Sequence, residues 1–483
     1  MWWAAAAGLG ALVIAVSPVM EGGGRAPDPP PASSTAGLPP GAPNPTLPTA
    51  DVQASAPIGP LRPTQLAALM ARSRPAPAPP PDPSGAARAQ LSTLSALAKG
   101  AAPLPPATTK AHPAPPSLAG SPPLHPHEVF GFAPYWTLGQ SSGFDLAGLS
   151  TLAYFGVDVT GDGSISHAGP GWAGLHSQAL VDLVDRAHQA GDRVVLTVEC
   201  FDQATLDRLT HDPSAPARLA HDIAAAISSE PLDGVNFDFE GTGAGDRQGL
   251  VATIGQVSRL LKSADPHWQV TVDTYGGSAS DPAGFFDVAG LAPYVDAFFV
   301  MAYDMGSRST PSPNAPLSGS GWTDADVVAS YTSVVPASKV VLGIPFYGYE
   351  WATAGDALGA AAISGGVPVT YATLAGAGHP SYWDAAASSP WTAWRSGGSW
   401  HQALYDGPTS VALKAALADQ AGLRGVGVWA LGMAGGDPSM MAALLGQAPA
   451  AKDWSPSPEP TPAALGLVGS GSGAAPPTGS PAP

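Results

Sequence analysis

The stretch PLDGVNFDFEGTG, Pro231 to Gly243, sets Asn236, Asp238 and Glu240 at alternate positions with Val235, Phe237 and Phe239 between them. On a strand, alternate side chains share a face, so the three polar groups stand on one side and the apolar groups on the other. If both faces are covered, two carboxyl groups are buried together, an arrangement that is costly unless the groups are paired or used. Further polar and aromatic residues close other apolar runs: Met301-Ala302-Tyr303-Asp304 ends one, and Trp429 ends another ahead of ALG. Paired carboxyls among aromatic platforms suit cleavage of a glycosidic bond. One group protonates the leaving oxygen, another opposes positive charge at the anomeric carbon, and rings stack on the sugar. The eleven histidines are scattered and no HExxH spacing occurs, so no metal or other cofactor is expected. Cys200 is the sole cysteine, which excludes an intramolecular disulfide and a cysteine metal cluster. It is expected to be a small buried residue at a strand end.

The elements that must hold these residues are eight β-branched or aromatic-rich runs. They begin at Glu128 (EVFGFAP), Leu149 (LSTLAYFGV), Asp192 (DRVVLTVEC), Gly234 (GVNFDFE), Trp268 (WQVTVDTY), Val295 (VDAFFVMAYD), Lys339 (KVVLGIPFYG) and Leu423 (LRGVGVWALG). Amphipathic patterns such as HSQALVDLVDRAHQAG and DRQGLVATIGQVSRLLKSA lie between many of them. Eight strands alternating with helices predict a (β/α)8 TIM barrel, whose sites form at the carboxyl ends of its strands. An open doubly wound sheet is the alternative, but no glycine-rich phosphate loop follows the first strand. Residues 351–405 are too long for a loop and predict a small subdomain inserted between strand seven and its helix. Its tryptophans, Trp351, Trp383, Trp391, Trp394 and Trp400, serve either as stacking platforms or as that subdomain's core. Asp233 is expected in a structural turn, and Asp406 either reaches the cleft or caps the following helix.

Composition places this barrel at residues 128–452 of the 483. Residues 21–127 are dominated by Pro, Ala, Ser and Gly and predict a disordered, partly polyproline spacer; residues 453–483 predict a similar tail. Residues 1–20 form an uncharged apolar run, expected to be a signal peptide or membrane anchor. The protein is therefore expected to be secreted or extracytoplasmic, with membrane attachment through that segment as one form of it. Extended at ~3.1 Å per residue, the spacer would reach up to roughly 300 Å. A formal charge of −17 disfavours nucleic acid as a partner and leaves a neutral polymer acceptable. The chain is expected to act as a monomer.

Four blocks in register carry a family resemblance. DGVNFDFE resembles the DGxDxDxE signature of glycoside hydrolase family 18, the chitinase-like enzymes. MAYD at Met301–Asp304, GVGVWALG around Trp429 and the first-strand FGFAPYW with Trp136 are similar to that family's other strand motifs. The insert, with YWDAAASSPWTAWR and HQALYDGPTSVALKAALADQAG, resembles the branch of bacterial spore-cortex and peptidoglycan N-acetylglucosaminidases. In that branch Asn often stands where Asn236 does. Two departures stand out: no LysM wall-binding repeat is recognisable, and LTVECFD replaces the SxGG pattern of ordinary chitinases on strand three.

The resemblance implies a retaining, substrate-assisted hydrolysis of β-linked N-acetylglucosamine (GlcNAc) polysaccharide, chitin-like or peptidoglycan. It makes Glu240, Asp238 and Tyr303 catalytic: Glu240 as the acid, Asp238 holding the acetamide N–H, Tyr303 donating to its carbonyl. It makes Asn236, Asp304, Met301, Trp429 and Trp136 substrate-binding, with Trp429 as the floor of the subsite. Asn236 cannot titrate, whereas an Asp there could share a proton with Asp238. A catalytically inactive lectin for GlcNAc polymers is the reading from another class, and an endoglycosidase for N-linked glycans also remains open.

Overall fold

Runs such as AFFVM have no polar face, as expected of parallel strands covered on both sides. The structure, a computed structural model, describes residues 104–115, 127–447, 449 and 454–458. The apolar start at 1–20, most of the spacer and most of the tail lie outside the described residues. Seven strands come first: β1 (Glu128–Pro134), β2 (Thr151–Asp158), β3 (Arg193–Cys200), β4 (Gly234–Phe239), β5 (Gln269–Tyr275), β6 (Ala297–Met301) and β7 (Val340–Pro345). Strands β8 (Tyr347–Thr353), β9 (Val367–Thr370), β10 (Ser381–Asp384), β11 (Ser389–Ser396) and β12 (Ser399–Leu404) follow, and β13 (Gly425–Trp429) is last. Strands β1 to β7 and β13 close into a parallel barrel in the order β1-β13-β7-β6-β5-β4-β3-β2. This is the (β/α)8 barrel.

Helices cover the barrel's outside. Helix Gln178–Ala190 shows why each forms where it does. The Ser177 side chain accepts from the Leu180 N–H at its start, and Gly191 ends it with φ 94°, a left-handed position suited to glycine. Between these signals Leu180, Val181, Leu183, Val184 and Ala187 are buried. Burial of each Val or Leu is worth about 1.5–3 kcal/mol.

The lumen is filled in layers. At its base the Arg424 Nε donates to Glu128 Oε2 at 2.6 Å, with Thr151 and Gln269 hydrogen-bonded to the same Glu128. Above lie Phe130, Phe132, Phe155 and Phe299, with the Phe132 and Phe299 ring centroids 4.9 Å apart. Gly343 on β7 and Gly427 on β13 admit Phe299; a Cβ on Gly427 would sit 2.5 Å from its ring. The layer above the rings is acidic.

The insert is a five-stranded antiparallel sheet in the order β10-β11-β12-β8-β9. It starts at Tyr347, four residues before the expected 351, because Phe346 alone separates β7 from β8. Trp351 and Trp391 are its core, at 1% and 0% exposure, and are not platforms. Trp383, Trp394 and Trp400 are half-buried.

Two segments expected to be disordered are held to the folded unit instead. Residues 104–115 run along helix Gln178–Ala190. The Ala107 N–H donates to the His176 carbonyl at 2.8 Å, the His112 N–H donates to Asp185 Oδ1 at 2.7 Å, and Ala111 is buried. Proline-rich composition does not prevent this, because the segment borrows its hydrogen-bond partners from the helix rather than forming its own ladder. Of the tail, Trp454 packs on Trp383 with centroids 5.0 Å apart, and the Ser455 N–H donates to the Ser381 carbonyl at 2.9 Å.

Candidate functional site

The site is built on the carboxyl ends of β2 to β6 and β13. Asp238 is 5% exposed and Glu240, the residue just past β4, is 6% exposed. The Glu240 N–H donates to the Cys200 carbonyl at 2.9 Å, which fixes the chain where it leaves the barrel. Gly241 follows against Phe285; a Cβ there would lie 2.4 Å from that ring, so only glycine brings the turn this close. The Tyr275 hydroxyl of β5 donates to the Gly241 carbonyl at 3.2 Å and also bonds the Glu240 carboxyl.

Burial dominates the electrostatics. It raises Asp238 to about 7. Glu240 is held well above the ordinary glutamate value by burial first, then by the charges of Asp238 and Asp304. Both carboxyls therefore keep a proton available near neutral pH, and Glu240 is suited to a general acid. Burial likewise raises the Tyr303 hydroxyl, aided by the surrounding acids, so it remains a hydrogen-bond donor. Tyr303 is half-buried and its ring meets Tyr347 at 6.1 Å and 78°.

Asp304 has φ 57°, unusual for a residue with a side chain. Such a conformation, worth on the order of 1–3 kcal/mol of strain, is typical of functional positions. The Asn314 side chain accepts from its N–H at 2.8 Å, and the hydroxyls of Tyr347 (2.9 Å) and Tyr349 donate to its carboxylate. The insert thus supplies two groups to the cleft that the sequence reading did not assign. Met301 ends β6 beside Tyr275, half-buried at the mouth. Trp429 ends β13 against Phe155 (4.7 Å) and Phe132 (5.3 Å), with the half-buried Trp136 at 6.3 Å.

Asn236 is a correction. It is 0% exposed, one pleat below Asp238, and its amide is spent within the protein. Its Nδ2 donates to Asp273 Oδ2 at 2.8 Å, and its Oδ1 accepts from the Thr271 hydroxyl at 2.7 Å. It links β4 to β5 under the site through these two bonds. Asp406 is neither in the cleft nor a cap; it accepts from Lys414 Nζ at 2.8 Å. Asp233 accepts from the Val194 N–H at 2.7 Å and joins β3 to the start of β4.

Two acids escaped the sequence reading. Asp273 of β5 is buried and raised well above the ordinary value by burial and by Asp238. Glu199 of β3 stands directly across from Asp238 in the strand register. Their signal was present in VTVDTY and LTVEC, where polar residues alternate as they do on β4.

A family model described as "Glycosyl hydrolases family 18" matches residues 188–434, slightly more than half of the chain. A Bacillus subtilis protein named as a sporulation-specific glycosylase, YdhD, is 27% identical over 157 residues, 32% of this chain and 36% of its own. The chain therefore spans about a third of that relative. Mouse di-N-acetylchitobiase is 25% identical over 273 residues, 51% of this chain and 72% of its own. Among solved structures, a GH18 chitinase from Cycas revoluta in complex with (GlcNAc)3 superposes with a TM-score of 0.58 at 19% identity, over 66% of this chain and 97% of that one.

Proposed function

Because the chain belongs to glycosyl hydrolase family 18, we propose that it cleaves β-linked GlcNAc-containing polysaccharide, chitin-like or peptidoglycan, with retention and with the substrate's own acetamido group as nucleophile. The observation that carries this reading is the placement of Asp238 and Glu240 on one strand at the barrel mouth, both buried and protonable. A carboxylate nucleophile would have to face the anomeric carbon from the opposite side of the sugar. Asp238 stands one pleat below the acid on the same strand, where it can hold a substrate group but is poorly placed to attack.

In this mechanism Glu240 gives its proton to the glycosidic oxygen as the bond to the anomeric carbon breaks. The acetamido oxygen forms the new bond to that carbon, giving an oxazolinium ion. Asp238 accepts from the acetamide N–H and opposes the developing positive charge, and Tyr303 donates to the acetamide oxygen. Glu240, now ionised, takes a proton from the water that opens the ring. Asp304, held by two tyrosine hydroxyls, and Trp429 orient the sugar. A GlcNAc oligomer is the ligand of the Cycas structure, which supports the choice of sugar.

Incubation with GlcNAc tetramer and with purified peptidoglycan glycan strands, followed by product masses, identifies the polymer. Proton NMR of the first product then reads its anomer. The β-anomer is expected; an initial α-anomer contradicts the mechanism, and binding without products from either polymer gives the lectin reading. The proposal extends to an extracytoplasmic location, supported by the apolar residues 1–20; recovery of the native protein only from the cytoplasmic fraction would contradict it.

A further inference from the structure

Asp238 and Asp273 stand side by side on neighbouring strands. The β4–β5 ladder pairs Asn236 with Thr271 and Phe237 with Val272. The next pair in that register is Asp238 with Asp273, on the face that Asn236 and Thr271 share. Asp273 is 1% exposed and Asp238 is 5% exposed. In each, Oδ1 is buried with no hydrogen-bond partner among the described residues. A buried carboxyl oxygen without a partner is costly, and two on adjacent strands are relieved together if one gives a proton to the other.

The groups beneath decide which of the two is the donor. The Thr271 hydroxyl donates to Asn236 Oδ1 at 2.7 Å, which turns the Asn236 amide so that its Nδ2 donates to Asp273 Oδ2 at 2.8 Å. With Oδ2 occupied as an acceptor, the proton of a neutral Asp273 belongs on Oδ1. Burial, and then the charge of Asp238, hold Asp273 well above the ordinary aspartate range. Asp238, raised by burial to about 7, is the one that ionises first. The other titratable groups facing the pair are Glu199 from β3, Glu240 beyond β4, and Tyr303 and Asp304 beyond β6.

We propose that Asp273 is a positioning residue for Asp238: it stays neutral and donates its Oδ1 proton to Asp238 Oδ1, leaving the other Asp238 oxygen to accept from the substrate's acetamide N–H. This deepens the glycosidase reading, and its catalytic part rests on that reading. Asn236 then acts at one remove, as the fixed donor that aims the Asp273 proton at β4.

Carboxyl carbon-13 NMR of the full chain labelled at aspartate tests the pairing without turnover, with the two signals assigned from Asp238→Asn and Asp273→Asn. In the parent, Asp273 is expected to stay at its protonated position through the pH range in which Asp238 titrates. Ionisation of Asp273 before Asp238 overturns the inference. Asp273→Ala removes a donor to ionised Asp238, so the Asp238 pKa is expected to rise by about one unit or more. Asp273→Asn keeps an N–H donor there and is expected to leave it within about half a unit of the parent. An Asp238 pKa that falls or stays in place in the alanine variant overturns the inference, because loss of a like charge or of a bystander would do that. In hydrolysis of GlcNAc tetramer, Asp273→Ala is expected to lower kcat about 10–100-fold with KM within about threefold, and Asp273→Asn to recover most of that loss. A kcat unchanged by Asp273→Ala overturns the catalytic part. A parent that leaves the tetramer intact contradicts the glycosidase reading alone, and the titrations still decide the hydrogen bond.

Discussion

In the proposed mechanism Asp238 is useful for the reason that it is destabilising: it sits where water cannot solvate its charge. Its pKa rises from 3.8 to about 7 on folding through burial. Between those values the unfolded chain has released a proton that the folded chain retains, so stability falls as pH rises through that window and levels off above it. Roughly three pH units correspond to about 4 kcal/mol. Asp238→Asn removes the liability. The variant is expected to melt several degrees above the parent at pH 8 and level with it near pH 4; a melting difference independent of pH would contradict the burial argument. Asn236→Asp does the reverse, facing a second carboxyl to Asp273 where the amide now donates at 2.8 Å. Charge added there raises Glu240 further, so the alkaline limb of the pH–rate profile is expected to move to higher pH while activity persists. An unmoved limb would show that position 236 is uncoupled from the acid.

At the scale of elements, the strands do their work by register and by what they leave out. Gly427 and Gly343 make room for Phe299, which supports the rings beneath the acids. Gly427→Ala forces a Cβ against that ring and against the Phe130 carbonyl, so a loss of about 1–3 kcal/mol or more is expected in chemical denaturation. An unchanged midpoint would mean that the layer repacks freely. How much of this was legible follows from the same geometry. The alternation on β4 announced itself because two acids and an amide fell in one short run. A lone acid in LTVEC or VTVDTY looks like any strand-end residue until the neighbouring strand is set beside it. The depth of Asn236 could not be read, because alternation gives the face of a side chain and not its layer. The insert began earlier than expected because PFYGYEW carries one continuous strand pattern across two strands in different sheets.

Across the whole molecule, the barrel and its insert are tied by a buried cluster at the helix Pro408–Gln420. Lys414 Nζ lies 2.8 Å from Asp406 Oδ2 and 3.3 Å from Asp324 Oδ2, all three side chains being 1% exposed, and donates to the Ala315 carbonyl at 2.6 Å. Lys414→Met strands two carboxyls without a cation and is expected to cost about 3–5 kcal/mol, read as a large fall in melting temperature; a melting temperature within a degree of the parent would contradict it. This cluster fixes one end of the sheet whose Tyr347 and Tyr349 reach Asp304, so it bears on the cleft as well as on stability. The held segment at 104–115 shows the limit of composition as a guide, since proline content reports how a chain behaves alone and not what surface it meets. The proposed mechanism turns on one proton, that of Glu240. Replacing Glu240 by Gln keeps the shape and removes the proton, so turnover of GlcNAc tetramer, followed by product mass, is expected to fall about 10²–10⁴-fold or more while calorimetric affinity for the intact tetramer stays within about threefold. Turnover within tenfold of the parent would contradict the account.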